Sequence, residues 1–374
     1  MVARRARDSW LAVRDRVLAS PRFQRWAAKF PLTRGVADRR TNALFDVCAG
    51  FVYSQVLSAV VEVGLLDLLA ERPRTAAELA PRLALSEESA QRLCDAAVSL
   101  RLGERRGQGR YGLGIHGASL VGNPAVASMV RHHRLLYRDL GDPVALLRGS
   151  GVDRETELRK FWGYVGDARP AAADDVAGYS SLMACSQPLI ADDIVEAYPL
   201  ARHRRLLDVG GGEGAFLEVV AAAAPSLALT LFDLPPVAQR ARSRLDRAGL
   251  LGRTTVVGGD LFEGELPPGA DVATLVRIIH DHDDAHALRI LRSVRRALAP
   301  GGVLLVAELM SGTRGAEPMG DAYFGFYLLA MGQGRPRTAD QLTALLREAG
   351  FVGIRRRKTR RPMLTNLLVA RVAS

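Results

Sequence analysis

Three carboxylates stand at the ends of successive apolar runs in the C-terminal half of this 374-residue chain. Asp208 closes Leu206-Leu207-Asp208-Val209, just before Gly210-Gly211-Gly212-Glu213-Gly214. Asp233 closes Leu231-Phe232-Asp233, and Asp260 follows Gly259 ahead of Leu261-Phe262. An apolar run feeding a glycine turn, then the helix-forming run Phe216 to Ala224, is how a nucleotide-binding α/β unit begins. Glycine lets the backbone bend sharply and approach a ligand closely. The helix N–H groups then point at whatever sits above the turn.

Gly210-x-Gly212-x-x-Ala215 fits the dinucleotide fingerprint in form, and that match is weak by itself. Asp208 argues for a different ligand, because a carboxylate there repels a pyrophosphate and attracts a cation. Its bland role would be to cap the turn. The next two acids favour the cationic ligand. Asp233 suits a pair of ribose hydroxyls. Asp260 suits an adenine amino group, and Phe262 suits the face of the ring. S-adenosylmethionine carries a sulfonium and an ammonium and no phosphate, so it meets all three demands.

A second cluster suits proton transfer. Val276-Arg277-Ile278-Ile279-His280-Asp281-His282-Asp283-Asp284 follows a buried run, and His280 sits just past its tip. Histidine accepts protons near neutral pH. A metal site from His280, His282 and His286 is the rival, but so loose a spacing is weak evidence, and no metal is expected. Asp283 and Asp284 read as the cap and first turn of the next helix. Val303 to Glu308 is another apolar run ending in an acid, and Glu308 would face His280. A carboxylate there fixes the tautomer and raises basicity, although a strand-end surface acid is the plainer reading. Tyr323 to Met331 is apolar and aromatic on nearly every face. Such a stripe is usually core, yet beside His280 it can also wall an apolar acceptor pocket. His132 and His133 show no clear partner and read as packing or surface residues.

These residues need a scaffold. Strands are read at 205–209, 228–233, 254–258, 272–279, 303–309, 353–359 and 365–372, with helices between them. Alternation of this kind argues an α/β fold: a Rossmann-like, mostly parallel seven-stranded sheet over residues 201–374. Only Arg361-Pro-Met-Leu-Thr365 joins the last two strands, so they must form an antiparallel hairpin. Upstream, residues 42–125 read as a mainly α winged-helix module. It has an apolar helix from Ala43 to Val63, broken near Val61, and a Thr75-x-x-Glu78 capping box. A second capped helix begins at Ser86, and a glycine-bearing wing runs from Arg105 to Gly112. DNA binding is the sharp reading of that shape. Glu87, Glu88 and Asp95 against Arg92 give its second helix the wrong charge for phosphate, so dimerisation is preferred and no nucleic acid is expected. Residues 126–200 read as a helical linker and substrate wall, and residues 1–41 as a basic arm.

Composition sets the remaining bounds. The chain is 48% hydrophobic and carries net charge +11. Residues 1–40 hold eleven Lys/Arg against three Asp, and Arg355 to Arg361 adds six more basic side chains. The excess charge therefore sits near the two ends, where it can meet nucleic acid or an anionic membrane face. Trp10, Val13, Val17 and Leu18 form one helical stripe among arginines, as in helices that lie on a membrane interface, or in an arm that packs on a partner subunit. No uninterrupted apolar run reads as long enough to span a bilayer. No signal-peptide core is seen. Cys48, Cys94 and Cys185 are scattered among apolar residues and read as buried free thiols of a cytoplasmic protein.

With those residues in view, the motif set resembles the class I S-adenosylmethionine-dependent small-molecule O-methyltransferases with a winged-helix dimerisation domain, the caffeate-type family. The motifs are Asp-Val-Gly-Gly-Gly-x-Gly, Phe-Asp-Leu-Pro, Gly-Asp-Leu-Phe, Arg-x-x-His-Asp and Gly334-Arg-Pro-Arg-Thr338, and the likeness runs from about residue 42 to the C-terminus. Asn42 to Gln55 further resembles the bacterial carotenoid branch. The resemblance implies a homodimer that binds S-adenosylmethionine through Asp208, Gly210, Gly212, Asp233, Asp260, Phe262 and Arg277. It implies His280 as proton acceptor and Glu308 as its flanking acid. It also implies a small apolar hydroxylated acceptor, an acyclic carotenoid methylated at its C1 tertiary hydroxyl. Such an enzyme would be cytoplasmic and peripheral at the inner membrane face. Two departures stand out: His282 replaces the family's usual tryptophan, and Pro336 replaces a second flanking acid, so Glu308 alone would orient His280. The remaining alternatives are a phenolic or polyketide acceptor, a winged-helix DNA-binding regulator and a nicotinamide oxidoreductase. Asp208 and the final hairpin count against the oxidoreductase.

Overall fold

The computed structural model describes residues 2–149, 155–162 and 187–373. Two compact units divide between Gly122 and Asn123.

In the first unit, three helices precede the winged module: Val2–Leu18, Pro21–Lys29 and Pro31–Glu62. The third begins twelve residues before the expected start at Ala43 and runs unbroken past Val61. It stops where Gly64 turns left-handed at φ +71°. The expectation that no stretch could span a bilayer needs correction, because this helix is long and apolar enough by length and composition. Scattered small and neutral residues hide that in a run-by-run reading. The capping box forms as expected: Thr75 Oγ1 accepts from Glu78 N, and Glu78 accepts from Thr75 N at 2.8 Å. β1 (Gly103–Arg106) and β2 (Arg110–Leu113) form the antiparallel wing. The preceding helix, Glu87–Ser99, is fixed to the wing by Tyr111, whose hydroxyl donates to Asp95 at 2.7 Å. Arg92 and Arg105 are held in ion pairs with Glu88 and Asp95. Cys94 is buried here, whereas Cys48 is exposed on the third helix, contrary to the expectation. Cys185 lies outside the described residues.

The second unit is built on β3 (Arg205–Val209), β4 (Ala228–Asp233), β5 (Thr254–Gly258), β6 (Ala270–Val276), β7 (Leu298–Glu308), β8 (Val352–Arg357) and β9 (Asn366–Arg371). Their order in the sheet is β5-β4-β3-β6-β7-β9-β8. β3, β4, β5, β6 and β7 pair in parallel, while β9 inserts antiparallel between β7 and β8. The expected final hairpin is therefore present. β6 ends at Val276, earlier than the expected 279, because Arg277 turns left-handed at φ +60°. Side-chain alternation along strands splits the core into two layers. Leu206, Leu229 and Leu231 face one layer with the helix Ala215–Ala223. Leu207, Val209 and Phe232 face the other with the helix Asp284–Ala297. A helix at 187–197, the described part of the one expected over 174–198, packs Ile190 and Ile194 into the first layer. All the strand-end acids thus arrive at one edge of the sheet, the carboxyl end of the parallel strands.

Candidate active site

At that edge Asp208 is 1% exposed. Its Oδ1 accepts from Thr274 Oγ1 at 2.7 Å, across the β3–β6 pairing. Its Oδ2 is buried and has no hydrogen-bond partner among the described residues. Burial pushes this carboxyl up to about 7; the Thr274 bond opposes that and the neighbouring charge of Asp233 adds to it. A buried carboxylate oxygen left unpaired is costly unless a ligand supplies a donor or a cation. The glycines explain how the turn closes over it. A Cβ on Gly211 would lie 2.7 Å from Asp208 Oδ2, and one on Gly210 would lie 2.4 Å from Ile278 Cδ1. Gly210 and Gly212 also hold φ of +70° and +57°.

Asp233 reaches back to the same turn. Its two oxygens accept from Gly212 N and Leu234 N, each at 2.7 Å. Burial raises it to about 6, with the two N–H donors working against the rise. Asp260 Oδ1 accepts from Phe262 N at 2.8 Å, which fixes the Phe262 backbone. The Phe262 ring meets the edges of His282 and His286, with centroids 5.4 and 5.1 Å away, and Arg289 lies 5.0 Å over it. His282 therefore takes up packing against Phe262, at the position where a tryptophan was expected. Asp283 caps the next helix by accepting from His286 N at 2.8 Å, as expected. Arg277, the expected donor-site arginine, donates its backbone N–H to Ala307 O at 2.9 Å.

His280 sits on a short turn, Ile279–Asp281, and is 8% exposed. Its Nδ1 is hydrogen-bonded to Glu308 Oε2. Glu308, 2% exposed at the end of β7, also accepts from Ile278 N and Ile279 N at 3.1 and 2.7 Å. One carboxylate thus fixes both the imidazole and the turn that carries it. Burial pulls the imidazole pKa down, but the charges of Asp281 and Glu308 outweigh that and raise it to about 10. Phe324 meets the ring edge-on at 4.8 Å.

Several residues here were not singled out from sequence. Asp281 Oδ1 lies 3.1 Å from His280 Nε2, so Glu308 is not the imidazole's only carboxylate. Arg337 is 2% exposed and donates to Ile279 O, His282 O and Asp284 at 2.7–2.8 Å, clamping the histidine turn. It belongs to the Gly334–Thr338 motif, next to Pro336. Gly334 approaches so closely that a Cβ would sit 2.3 Å from His280 O. His132 and His133 do have partners: their Nε2 atoms lie 2.7 Å from the Tyr327 and Tyr323 hydroxyls. Trp162 Nε1 also donates to Tyr327 at 3.2 Å. Burial lowers both histidines, His132 to about 4, so both are neutral beside the buried cluster that holds Trp162 and Tyr327.

Comparison with known proteins decides the family. An O-methyltransferase domain matches residues 137–352, and an O-methyltransferase dimerisation domain matches residues 45–121. The chain belongs to the O-methyltransferase family. It is 44% identical to demethylspheroidene O-methyltransferase of Cereibacter sphaeroides, covering 95% of this chain and 93% of that one. The Rhodobacter capsulatus protein of the same name is 41% identical over 95% of this chain and 88% of its own. Human N-acetylserotonin methyltransferase in complex with SAM superposes with TM-score 0.75 at 25% identity, covering 90% of this chain and 98% of that one. The enzyme is an S-adenosylmethionine-dependent O-methyltransferase, and the matched dimerisation domain supports a homodimer. The residues present fit the donor: an unpaired buried carboxylate oxygen on Asp208 suits its positive charge, beside a turn of near-Cβ-free backbone.

Proposed function

We propose that this methyltransferase transfers the methyl group to the C1 tertiary hydroxyl of an acyclic carotenoid, with His280 as the proton acceptor. The observation that carries the role of His280 is its geometry: an imidazole pinned through Nδ1 by Glu308, with the aromatic edge of Phe324 against it. The two demethylspheroidene relatives, similar over nearly the whole chain, support the acceptor class. Phe324, whose ring packs against His280, gives that acceptor an aromatic neighbour beside the base.

In this reading Asp208 and the Gly210–Gly212 turn hold the charged end of the donor. Asp233 takes the ribose hydroxyls, Asp260 and Phe262 take the adenine, and Arg277 supports the site. When bound, the donor supplies a methyl group on a sulfonium leaving group. His280 Nε2 takes the acceptor's hydroxyl proton as the oxygen attacks that methyl. Asp281 and Glu308 stabilise the imidazolium that results. A tertiary alcohol is hindered and weakly acidic, so much of the rate comes from positioning. The enzyme is cytoplasmic and meets its acceptor at an anionic membrane face.

The test is methyl transfer from labelled S-adenosylmethionine to a 1-hydroxycarotenoid in detergent or liposomes, with His280→Ala alongside. The expected outcome is label in the carotenoid fraction, reduced about 10²–10⁴-fold in the variant. Label only on phenolic acceptors would overturn the carotenoid assignment and leave the family assignment intact. An unaffected variant would remove His280 from the mechanism.

A further inference from the structure

Residues 7–40 precede the match to the family's dimerisation domain, which begins at residue 45. They carry nine Lys/Arg against three Asp, and every one of these basic side chains is exposed. On the helix Val2–Leu18, Trp10, Val13 and Val17 lie three and four residues apart and so share one face, with Trp10 64% exposed. On the helix Pro21–Lys29 and its C-cap, Phe23, Trp26 and Phe30 follow the same spacing. Trp26 stacks on Phe30 with centroids 5.0 Å apart and meets Phe23 at 5.7 Å. Trp26 and Phe30 remain 50% and 39% exposed. Beside this face the helix is tied to the start of the next one, since Ala27 is buried and its carbonyl accepts from Thr33 Oγ1 at 2.8 Å. Trp26 and Phe30 thus stay exposed on ordered backbone.

Two occupants can cover such a face: a second copy of the chain or a lipid surface. Charge separates them. A second copy would bring its own net +6 from residues 7–40 against the same charge, which is repulsive. The exposed apolar side chains that suit a second copy, Leu44, Phe45, Val47, Phe51 and Val52, lie downstream, at or inside the dimerisation match. Exposed tryptophan and phenylalanine set among arginines are instead the composition of helices lying in an anionic bilayer interface.

We infer that residues 7–40 dock the enzyme on an anionic phospholipid surface through Trp10, Trp26 and Phe30, with the surrounding arginines held at the headgroups. This deepens the proposed function, because a lipid-dissolved acceptor is reached from that surface. The experiment needs no acceptor, so it stands or falls separately from the carotenoid reading. The full-length homodimer is floated with vesicles of equimolar phosphatidylcholine and phosphatidylglycerol, and with phosphatidylcholine alone. Binding is expected only to the anionic vesicles, and is lost at about 0.5 M salt. The triple variant Trp10→Ala/Trp26→Ala/Phe30→Ala is expected to bind about tenfold more weakly. It should keep its oligomeric state by size-exclusion chromatography and its affinity for S-adenosylmethionine by calorimetry. Equal binding to neutral vesicles, or wild-type binding by the variant, would overturn the inference. Conversion of the variant to monomer would overturn it too, in favour of an interface between copies.

Discussion

The imidazole of His280 lies between two carboxylates, and this sets an unusual constraint on a base. Held at about 10 in the donor-free protein, it is protonated across the neutral range. A proton acceptor must first be neutral. kcat/KM should therefore rise with pH from 7 toward 10, since that ratio reports the free enzyme. The limb in kcat should lie lower, because a sulfonium near the imidazolium favours the neutral ring. Asp281→Asn removes one of the two negative charges and lowers the histidine pKa, so the kcat/KM limb should move to lower pH by about one unit or more. Glu308→Gln should move the limb the same way and also lower kcat, because Glu308 accepts from the turn's own N–H groups as well. A pH–rate profile of wild type and both variants checks this. Limbs that coincide would show that neither carboxylate acts on the base.

At the scale of elements, the parallel strands were legible because their apolar runs end in acids at intervals that only alternating strands and helices explain. The hairpin was legible from the short link between the last two strands. What the sequence withheld were side-chain directions at turns. Asp281 adjoins His280 in sequence, but only the left-handed Arg277 and the following turn bring its carboxylate to Nε2. Arg337 is distant in sequence, and an arginine in a loop reads as solvated until its carbonyl partners are known. The exposure of Cys48 is not legible for a related reason: apolar neighbours on a helix say nothing of what covers it. The glycine turn gives the sharpest element-scale prediction. Gly210→Ala meets both a positive φ and a 2.4 Å approach to Ile278 Cδ1, so either the Ile278 side chain or the turn beside Asp208 and Asp233 must give. Donor affinity by calorimetry should fall at least tenfold, at a folding cost of about 1–3 kcal/mol. Gly212→Ala meets open space and bears only the φ penalty, so its loss should be smaller. Equal losses would show that the approach to Ile278 is not what matters.

For the whole molecule, the site links pH, stability and donor binding. Asp208 and Asp233 have raised pKa values, about 7 and about 6, so the folded protein holds their protons more tightly than the unfolded chain. Their contribution to stability is present at low pH and is lost as pH rises through those values. His280 is also raised, so its contribution is complete below its ordinary value near 6.5 and is lost as pH rises toward 10. The two aspartates therefore make the donor-free enzyme less stable as pH rises from their ordinary value of 3.8 to neutrality, and His280 continues the loss on the alkaline side. The donor acts in the opposite sense, because its positive charge suits an ionised Asp208 and finds no counter-charge in a protonated one. Stabilisation by S-adenosylmethionine should therefore be larger at pH 8 than at pH 5.5, with affinity falling by up to about tenfold per pH unit below the Asp208 value. The demethylated product, which has lost the sulfonium charge, should show a weaker dependence. Thermal unfolding of the homodimer with each ligand at the two pH values measures this directly. A donor shift independent of pH would mean that Asp208 is already ionised in the free enzyme, and that Thr274 and the glycine turn stabilise its charge without help from the ligand.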